Sequence, residues 1–454
     1  MNDGALEEDA IGTATDRQSD TRPAALVANL SSPEIDRLAA ELQQRDALQS
    51  YVRPYVNKQR TWERLVASLP GVGGLYGRTL GRREPPEGLP NAKVTEAGVG
   101  YDFLGALAAR MPLGSERWRK RVAQSLIIRA QEGVTARAGE LARNVDVVIA
   151  SYGTAQRAFE VVRAAGGRTV LNYPIAHNDF QARFYAEEAA LRPEFAAALP
   201  RLRELPSTYS EQLNVECSLA DCILVGSTFA KRAFIAVGYD ERKLAVIPYG
   251  VDAEKFSPPA TPRRDRVFRV LFVGQIGQRK GMSYLFEGYE LFRRENSELH
   301  VVGSYVSGRE VYSRFAHLYR HTSNVPHANL PTVFREADVF VFPTLIEGMG
   351  LVVLEAMACG VPVITTTHGP GDIVRDGIDG FHVPIRAPEA IAMRLEQLYN
   401  DANLREQMGK NAREQALRHT WDTYAERAAD IALAIQKSKH ERNGDLHASP
   451  ARLN

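Results

Sequence analysis

The feature that most constrains this 454-residue chain is a series of short, predominantly apolar runs, separated by segments long enough to hold helices. Asp146–Ala150 (DVVIA), Cys222–Gly226 (CILVG), Val267–Val273 and Val339–Val341 are of this kind, and Val361–Thr366 follows. A strand with one wet face alternates apolar and polar residues. Continuous Val, Ile, Leu and Phe instead predict strands buried on both faces, in parallel sheets covered by helices on each side. Ala24–Leu30, Thr169–Asn172, Leu244–Ile247 and His300–Val302 add further strands, and Pro33–Gln44 and Thr154–Ala165 have helical spacing. The number of units exceeds one sheet. The predicted fold class is α/β, with two Rossmann-like, doubly wound domains.

Length agrees with two or three domains. The boundary lies at Ser257–Arg266 (SPPATPRRDR), where proline and charge interrupt the apolar pattern. The expected division is a disordered N-terminus at 1–21, a first domain at 22–261 and a second at 262–420. A last helix at 421–436 and a disordered tail at 437–454 complete it. The net charge of +1 argues against nucleic acid as a partner. Three scattered cysteines, Cys217, Cys222 and Cys359, suit neither a disulfide framework nor a zinc site, and point to a reducing, cytoplasmic setting. The start, MNDGALEEDA, lacks the apolar segment of a signal peptide, and no run approaches the length of a membrane helix.

Four features between residues 268 and 380 carry chemistry. Val270–Gly281 (VLFVGQIGQRKG) reads as a strand, a glycine loop at Gly274 and a helix with a basic entrance at Arg279 and Lys280. Such a loop brings amides and fixed positive charge to an anion, although tight turns share the pattern. Glu347–Glu355 (EGMGLVVLE) begins where a strand ends and leads through two glycines into a helix. Glu347 then stands at the carboxyl edge of the sheet, where open α/β sheets bind ligands. Glu355 lies among apolar neighbours and needs a partner, either ribose hydroxyls or a salt bridge. The run Ile364–Gly371 either lines the same pocket with its hydroxyls or forms a turn, and His368 within it reads as a loop histidine. Asp376–Gly380 reads as a structural turn leading into another strand.

The run from about Tyr209 to Asn400 resembles the family 4 retaining glycosyltransferases, which have the GT-B fold. Ala220-Asp221 with Leu224–Ser227, Ile247–Asp252 with Phe256–Pro258, and Val273–Ile276 with Lys280-Gly281 match its segments in order. Pro343, Glu347–Gly350, Glu355–Ile364 and Asp376–Gly380 continue the match. The resemblance implies two domains facing a central cleft, with the last helix crossing back onto the first domain. It implies that Gly274 lies beneath the donor phosphates and that Lys280 pairs with the diphosphate. Glu347 would lie beside the transferred sugar, with Met349, Gly350 and Leu351 offering amides to the donor and Glu355 bonding the ribose. Many members carry arginine where this chain has Gln275, so Arg279 is the nearest guanidinium, and Thr344 stands where serine is usual. The implied donor is a nucleotide-diphosphate sugar, with no cofactor and no metal required. The implied acceptor is a glycan, a lipid-linked sugar or a small molecule.

The N-terminal half matches less well, with Ser31-Ser32-Pro33-Glu34 where many members have a Gly-Gly turn. A histidine after the strand at 169–172 often faces the sugar in this family, which makes His177 the candidate, against a capping or loop role. Residues 51–137 hold 15 Lys and Arg against 7 Asp and Glu, densest at Glu116–Arg129. Such a stretch suits peripheral contact with an anionic membrane, a phosphorylated acceptor, or simply a solvated face. Competing readings are a nucleotide-sugar epimerase or hydrolase of the same fold, and a non-catalytic nucleotide-sugar-binding partner subunit.

Overall fold

The computed structural model describes residues 24–70, 72–81, 83–108, 116–200, 207–261, 265, 267–323 and 325–446. The N-terminus expected to be disordered, 1–21, lies outside them, as does 447–454.

The chain forms two all-parallel sheets. The first has seven strands: β1 Ala25–Ala28, β2 Leu48–Arg53, β3 Val94–Glu96, β4 Val147–Ser151, β5 Arg168–Asn172, β6 Cys222–Val225 and β7 Leu244–Val246. Their order is β3-β2-β1-β4-β5-β6-β7. The second has six: β8 Phe268–Val273, β9 Ser297–Val302, β10 Tyr319–Thr322, β11 Val339–Phe342, β12 Val363–Thr365 and β13 Gly380–His382, in the order β10-β9-β8-β11-β12-β13. Each order reverses beside its first strand, at β1/β4 and at β8/β11. These are the switch points where such sheets open a crevice at their carboxyl ends. The central strands β1, β4, β6 and β11 are buried along their whole length, as their unbroken apolar runs require.

The helices of the first half are α1 Pro33–Gln44, α2 Thr61–Ser68, α3 Val72–Thr79, α4 Val99–Ala108, α5 Glu116–Leu141, α6 Gln156–Ala164, α7 Asn178–Leu191, α8 Ser207–Leu219 and α9 Thr228–Ile235. The second half adds α10 Met282–Phe292, α11 Leu330–Arg335, α12 Leu351–Ala358, α13 Pro388–Asn400, α14 Ala402–Ala416 and α15 Trp421–Leu446. Capping explains several boundaries. The Ser227 hydroxyl accepts from the Ala230 N–H at the start of α9, and the Asp401 carboxylate accepts from the Leu404 N–H at the start of α14.

The last helix packs on the first domain. Tyr424, Ala428, Ala429 and Ala432 are buried, small residues let α15 approach α1, and Arg45 pairs with Asp430 at 2.5 Å. This helix runs to Leu446 rather than stopping at 436, so residues 437–446, expected to be disordered, are helical. Lys437, Lys439, Glu441 and Arg442 among them are good helix formers and extend a helix already nucleated by packing.

A second bridge between the halves comes from α7 and the turn after it. Phe195 stacks on Tyr312 with ring centroids 5.5 Å apart, and Arg192 pairs with Glu287 at 2.5 Å. Glu188, fully buried, receives the Gln278 amide at 2.7 Å, the Tyr284 hydroxyl at 2.9 Å and the Arg386 guanidinium at 2.7 Å. A buried carboxylate needs that many donors to be tolerated.

Candidate active site

Gly274, Arg279, Lys280 and Glu347 come together at the carboxyl edge of the second sheet. After β8 the chain turns at Gly274, whose N–H donates to the Val302 carbonyl at 2.9 Å. Gln278–Lys280 then form one tight turn before α10. From this turn Arg279 reaches the Glu347 carboxylate at 2.9 Å, and Lys280 contacts the same oxygen. Arg279 also donates to the Ile346 carbonyl at 3.0 Å, and the Lys280 ammonium sits 4.5 Å over the Phe342 ring. Burial, and then the adjoining Arg279 charge, push the Lys280 ammonium well below the usual lysine range. The Glu347 carboxylate in contact works in the opposite direction. The result is two cations and one carboxylate packed where water has little access, an arrangement that strengthens any electrostatic contact with a ligand.

Glu347 leads into α12 through two glycines. At Gly350 the backbone has φ +87°, a left-handed conformation that favours glycine and that starts the helix at Leu351. Gly348 is required for a different reason: a Cβ there would lie 1.7 Å from the Pro174 carbonyl oxygen of the first domain. The two halves therefore meet backbone to backbone at this glycine. Met349 is buried, and its sulfur accepts the Tyr249 N–H at 2.9 Å. Met349 thus also fixes the segment that joins the domains, alongside any amide it offers.

One turn into α12, Glu355 is buried. Its Oε1 lies 2.7 Å from His327 Nε2, while Oε2 is buried with no partner. The other His327 nitrogen lies 2.8 Å from Lys255 Nζ. Of the alternatives drawn from the sequence, the side-chain partner is present on one oxygen, and the other oxygen is unsatisfied. The polar run after β12 resolves as a turn. Thr365 and Thr366 donate their hydroxyls to the Phe342 and Thr344 carbonyls at 2.8 and 2.6 Å. His368 is a loop histidine, 2.9 Å from the Leu345 carbonyl and stacked on Phe229. Asp376–Gly380 turns into β13.

Of the roles left open for His177, the structure shows the capping one. This residue is the N-cap of α7, where Nδ1 accepts the Asp179 N–H at 3.2 Å. Its ring is enclosed by Tyr173, Phe234 and Tyr239, all in the first domain, and is 1% exposed. Burial holds its pKa down at about 4. The residue that faces the Glu347 loop is Pro174, three positions earlier. The strand ends at Asn172, as its apolar run predicts, and Pro174 follows before His177 is reached.

Sequence reasoning missed Glu188, which braces the Gln278–Lys280 turn from the other domain, and His327, which meets Glu355. Neither stands in a local pattern. Glu188 is one of several glutamates on an ordinary helix, and His327 reaches Glu355 only through the fold. It also passed over Glu34, whose buried carboxyl accepts from the Asn172 amide at 3.0 Å. Its neighbours in a list of turn residues gave no reason to single it out.

Residues 254–415 match the family model described as glycosyl transferases group 1. The second domain is therefore similar to the group 1 glycosyltransferases over most of its length. The chain is 32% identical to a D-inositol 3-phosphate glycosyltransferase of Paenarthrobacter aurescens over 216 residues, 43% of this chain and 52% of that protein. It is 31% identical to the capsular polysaccharide biosynthesis glycosyltransferase CapM of Staphylococcus aureus, over 45% of this chain and 58% of that one. The chain thus spans about half the length of the curated relatives it matches. Among solved structures, Anabaena HepE in complex with UDP and glucose superposes with TM-score 0.56 at 16% identity, covering 90% of this chain and 99% of that one. The sucrose-phosphate synthase of Thermosynechococcus elongatus superposes with TM-score 0.59 at 18% identity, covering 92% and 100%. These likenesses establish the GT-B architecture: two Rossmann-like domains with a cleft between them and a final helix returning to the first.

Among the described residues no group of three or more His, Cys, Asp or Glu side chains is placed to hold a metal ion. No helix among them is long and apolar enough to cross a membrane.

Proposed function

We propose that the protein is a retaining glycosyltransferase that moves a sugar from a nucleoside-diphosphate sugar to a hydroxyl of a glycan, lipid-linked or small acceptor. The observation that carries this reading is the Glu347 carboxylate held by Arg279 and Lys280 at the entrance to α12, with the unsatisfied Glu355 oxygen one turn deeper. A diphosphate competes with Glu347 for the two cations and draws the amides of Met349, Gly350 and Leu351. Gly274 lets the backbone beneath it pass close. Glu347, released from one cation, faces the sugar, and Glu355 takes a ribose hydroxyl on Oε2.

Transfer breaks the bond from the anomeric carbon to the diphosphate oxygen and makes one to the acceptor oxygen. The acceptor proton leaves with the diphosphate. Arg279, Lys280 and the helix-start amides stabilise the charge that develops on the leaving group, a role that requires no cofactor and no metal. Glu347 is engaged by cations and is unsuited to serve as one of two opposed carboxylates of the kind glycosidases use. Retention of configuration is part of the proposal and is supported by the sequence resemblance to the retaining family.

The test is a thermal-shift screen with UDP-, GDP- and ADP-sugars, followed by the anomeric configuration of the product. One nucleotide raises the melting temperature by mass action, and the product keeps the donor's configuration, with turnover surviving chelation. Stabilisation by none of them, or an inverted product, contradicts the proposal.

A peripheral membrane contact is part of the proposal, through α5 and its neighbours. Trp118 and Ile127 on α5, Tyr101 and Leu104 on α4 and Trp62 on α2 are exposed large apolar side chains in the basic region of the sequence. Co-sedimentation with phosphatidylserine vesicles, lost at high salt, supports it. Equal recovery with neutral and anionic vesicles counts against it.

A further inference from the structure

A cavity of about 290 Å³ lies where the two domains meet. One wall is Leu351, the first residue of α12, and another is Pro174, whose carbonyl abuts Gly348. The cavity therefore borders the segment to which the preceding reading assigns the donor. The opposite wall belongs wholly to the first domain: Ser31, Ser32 and Glu34 at the start of α1, Tyr152 after β4, and Gln131 on α5.

The chemistry of this wall is specific. It offers hydroxyls, an amide and a carboxyl, and no lysine, arginine or histidine lines the cavity among the described residues. The start of α1 is not open to an anion either. Pro33 brings no N–H to it, and the Glu34 carboxyl already occupies the positive end of the helix, hydrogen-bonded by its own backbone N–H and by Asn172. Glu34 is 4% exposed, and burial raises its carboxyl above the ordinary range. With a further bond from Ser32, the Glu34 carboxyl is held by neutral donors alone, so a ligand entering the cavity meets an acceptor group and no lining cation among the described residues.

We infer that this cavity is the acceptor subsite, that it takes a neutral polyhydroxyl compound (a sugar or cyclic polyol) rather than a phosphorylated one, and that the Glu34 carboxyl hydrogen-bonds the acceptor. A phosphate monoester carries about 1.5 to 2 negative charges. It would meet a carboxyl here and no compensating cation. A polyol instead finds paired donors and acceptors on Ser31, Ser32, Tyr152 and Gln131, while Leu351 and Pro174 set the depth at which its hydroxyl meets the anomeric carbon.

This inference rests on the glycosyltransferase reading, so the test separates the two. Binding of UDP, GDP and ADP to the full chain is measured by calorimetry. Transfer is measured to methyl glycosides and myo-inositol, and to myo-inositol 1-phosphate and glucose 6-phosphate. The neutral acceptors are expected to have kcat/KM at least about 10-fold above the phosphorylated ones. Glu34→Gln is expected to raise the acceptor KM by about 10-fold or more, the loss of a hydrogen bond to a charged group. Its nucleotide Kd stays within about 2-fold of the wild type, because Glu34 does not touch the donor. Tyr152→Phe, which keeps the ring contact with Tyr173, raises the same KM by a few-fold and guards against a folding defect in the first variant. A preference for the phosphorylated acceptors, transfer to no neutral compound, or an unchanged acceptor KM in both variants while nucleotide still binds overturns the acceptor assignment alone. Failure of all three nucleotides to bind the wild type overturns the glycosyltransferase reading and this inference with it.

Discussion

The two domains share one architecture and treat function differently. In the second, the groups that would hold a donor come from two short stretches, Gly274–Lys280 and Glu347–Glu355. In the first, the groups around the cavity come from α1, β4, β5 and α5, more than a hundred residues apart. The difference follows from what is bound. A diphosphate asks for clustered amides and positive charge, which a loop and the helix start after it supply from adjacent residues. A hydroxyl acceptor asks for single polar groups converging from several directions, and the fold alone brings those together.

The comparison is strained most by cutting the tie between the halves. Glu188 sits in the first domain and receives three donors from the second. Glu188→Ala leaves the Arg386 guanidinium without its buried partner, a loss of about 3–5 kcal/mol in chemical denaturation. The variant should also bind nucleotide less tightly, because Gln278 loses its anchor beside Arg279 and Lys280. A loss below about 1 kcal/mol would show that the domains are held elsewhere.

His177 sharpens the contrast next. Its pKa is held near 4 in the folded protein, against an ordinary value of about 6.5 when unfolded. Between those values the unfolded chain binds more protons, so stability falls as pH drops from about 6.5 to about 4, by roughly 3 kcal/mol in all. His177→Asn keeps a helix cap and removes this slope while turnover at pH 7.5 is retained. An undiminished slope, or a large loss of turnover, would return His177 to the sugar.

The smaller effect is at the ribose end. Glu355→Gln weakens nucleotide-sugar binding by about 10-fold, near 1.4 kcal/mol, without altering the fold. An unchanged Kd would assign the Glu355 oxygen to His327 alone.

Much of this was legible in the sequence. The apolar runs at 222–226, 270–273 and 339–341 revealed inner strands, because burial on both faces leaves little room for polar residues. Two outer strands were not legible: β2 (LQSYVR), next to the edge of its sheet, and β10 (YRHT), at the edge of the other, are partly exposed and carry polar side chains that blur the pattern. The donor loop was legible because its chemistry is local. Glu34, Glu188 and His327 were not, since each gains meaning only from a residue far away in the chain. For His177 the sequence left both a capping and a sugar-facing role open, because a one-strand register does not show how the chain runs past Pro174.

The central claim is that Arg279, Lys280 and Glu347 form the donor site. It is tested most directly by nucleoside-diphosphate release from the nucleotide sugar identified in the screen, comparing wild type with Lys280→Ala in the presence of acceptor. The account predicts that the variant remains folded and that kcat/KM falls by about 100- to 1,000-fold, the scale expected when one charge-stabilising group is removed from a transition state. Turnover equal to that of the wild type would contradict it.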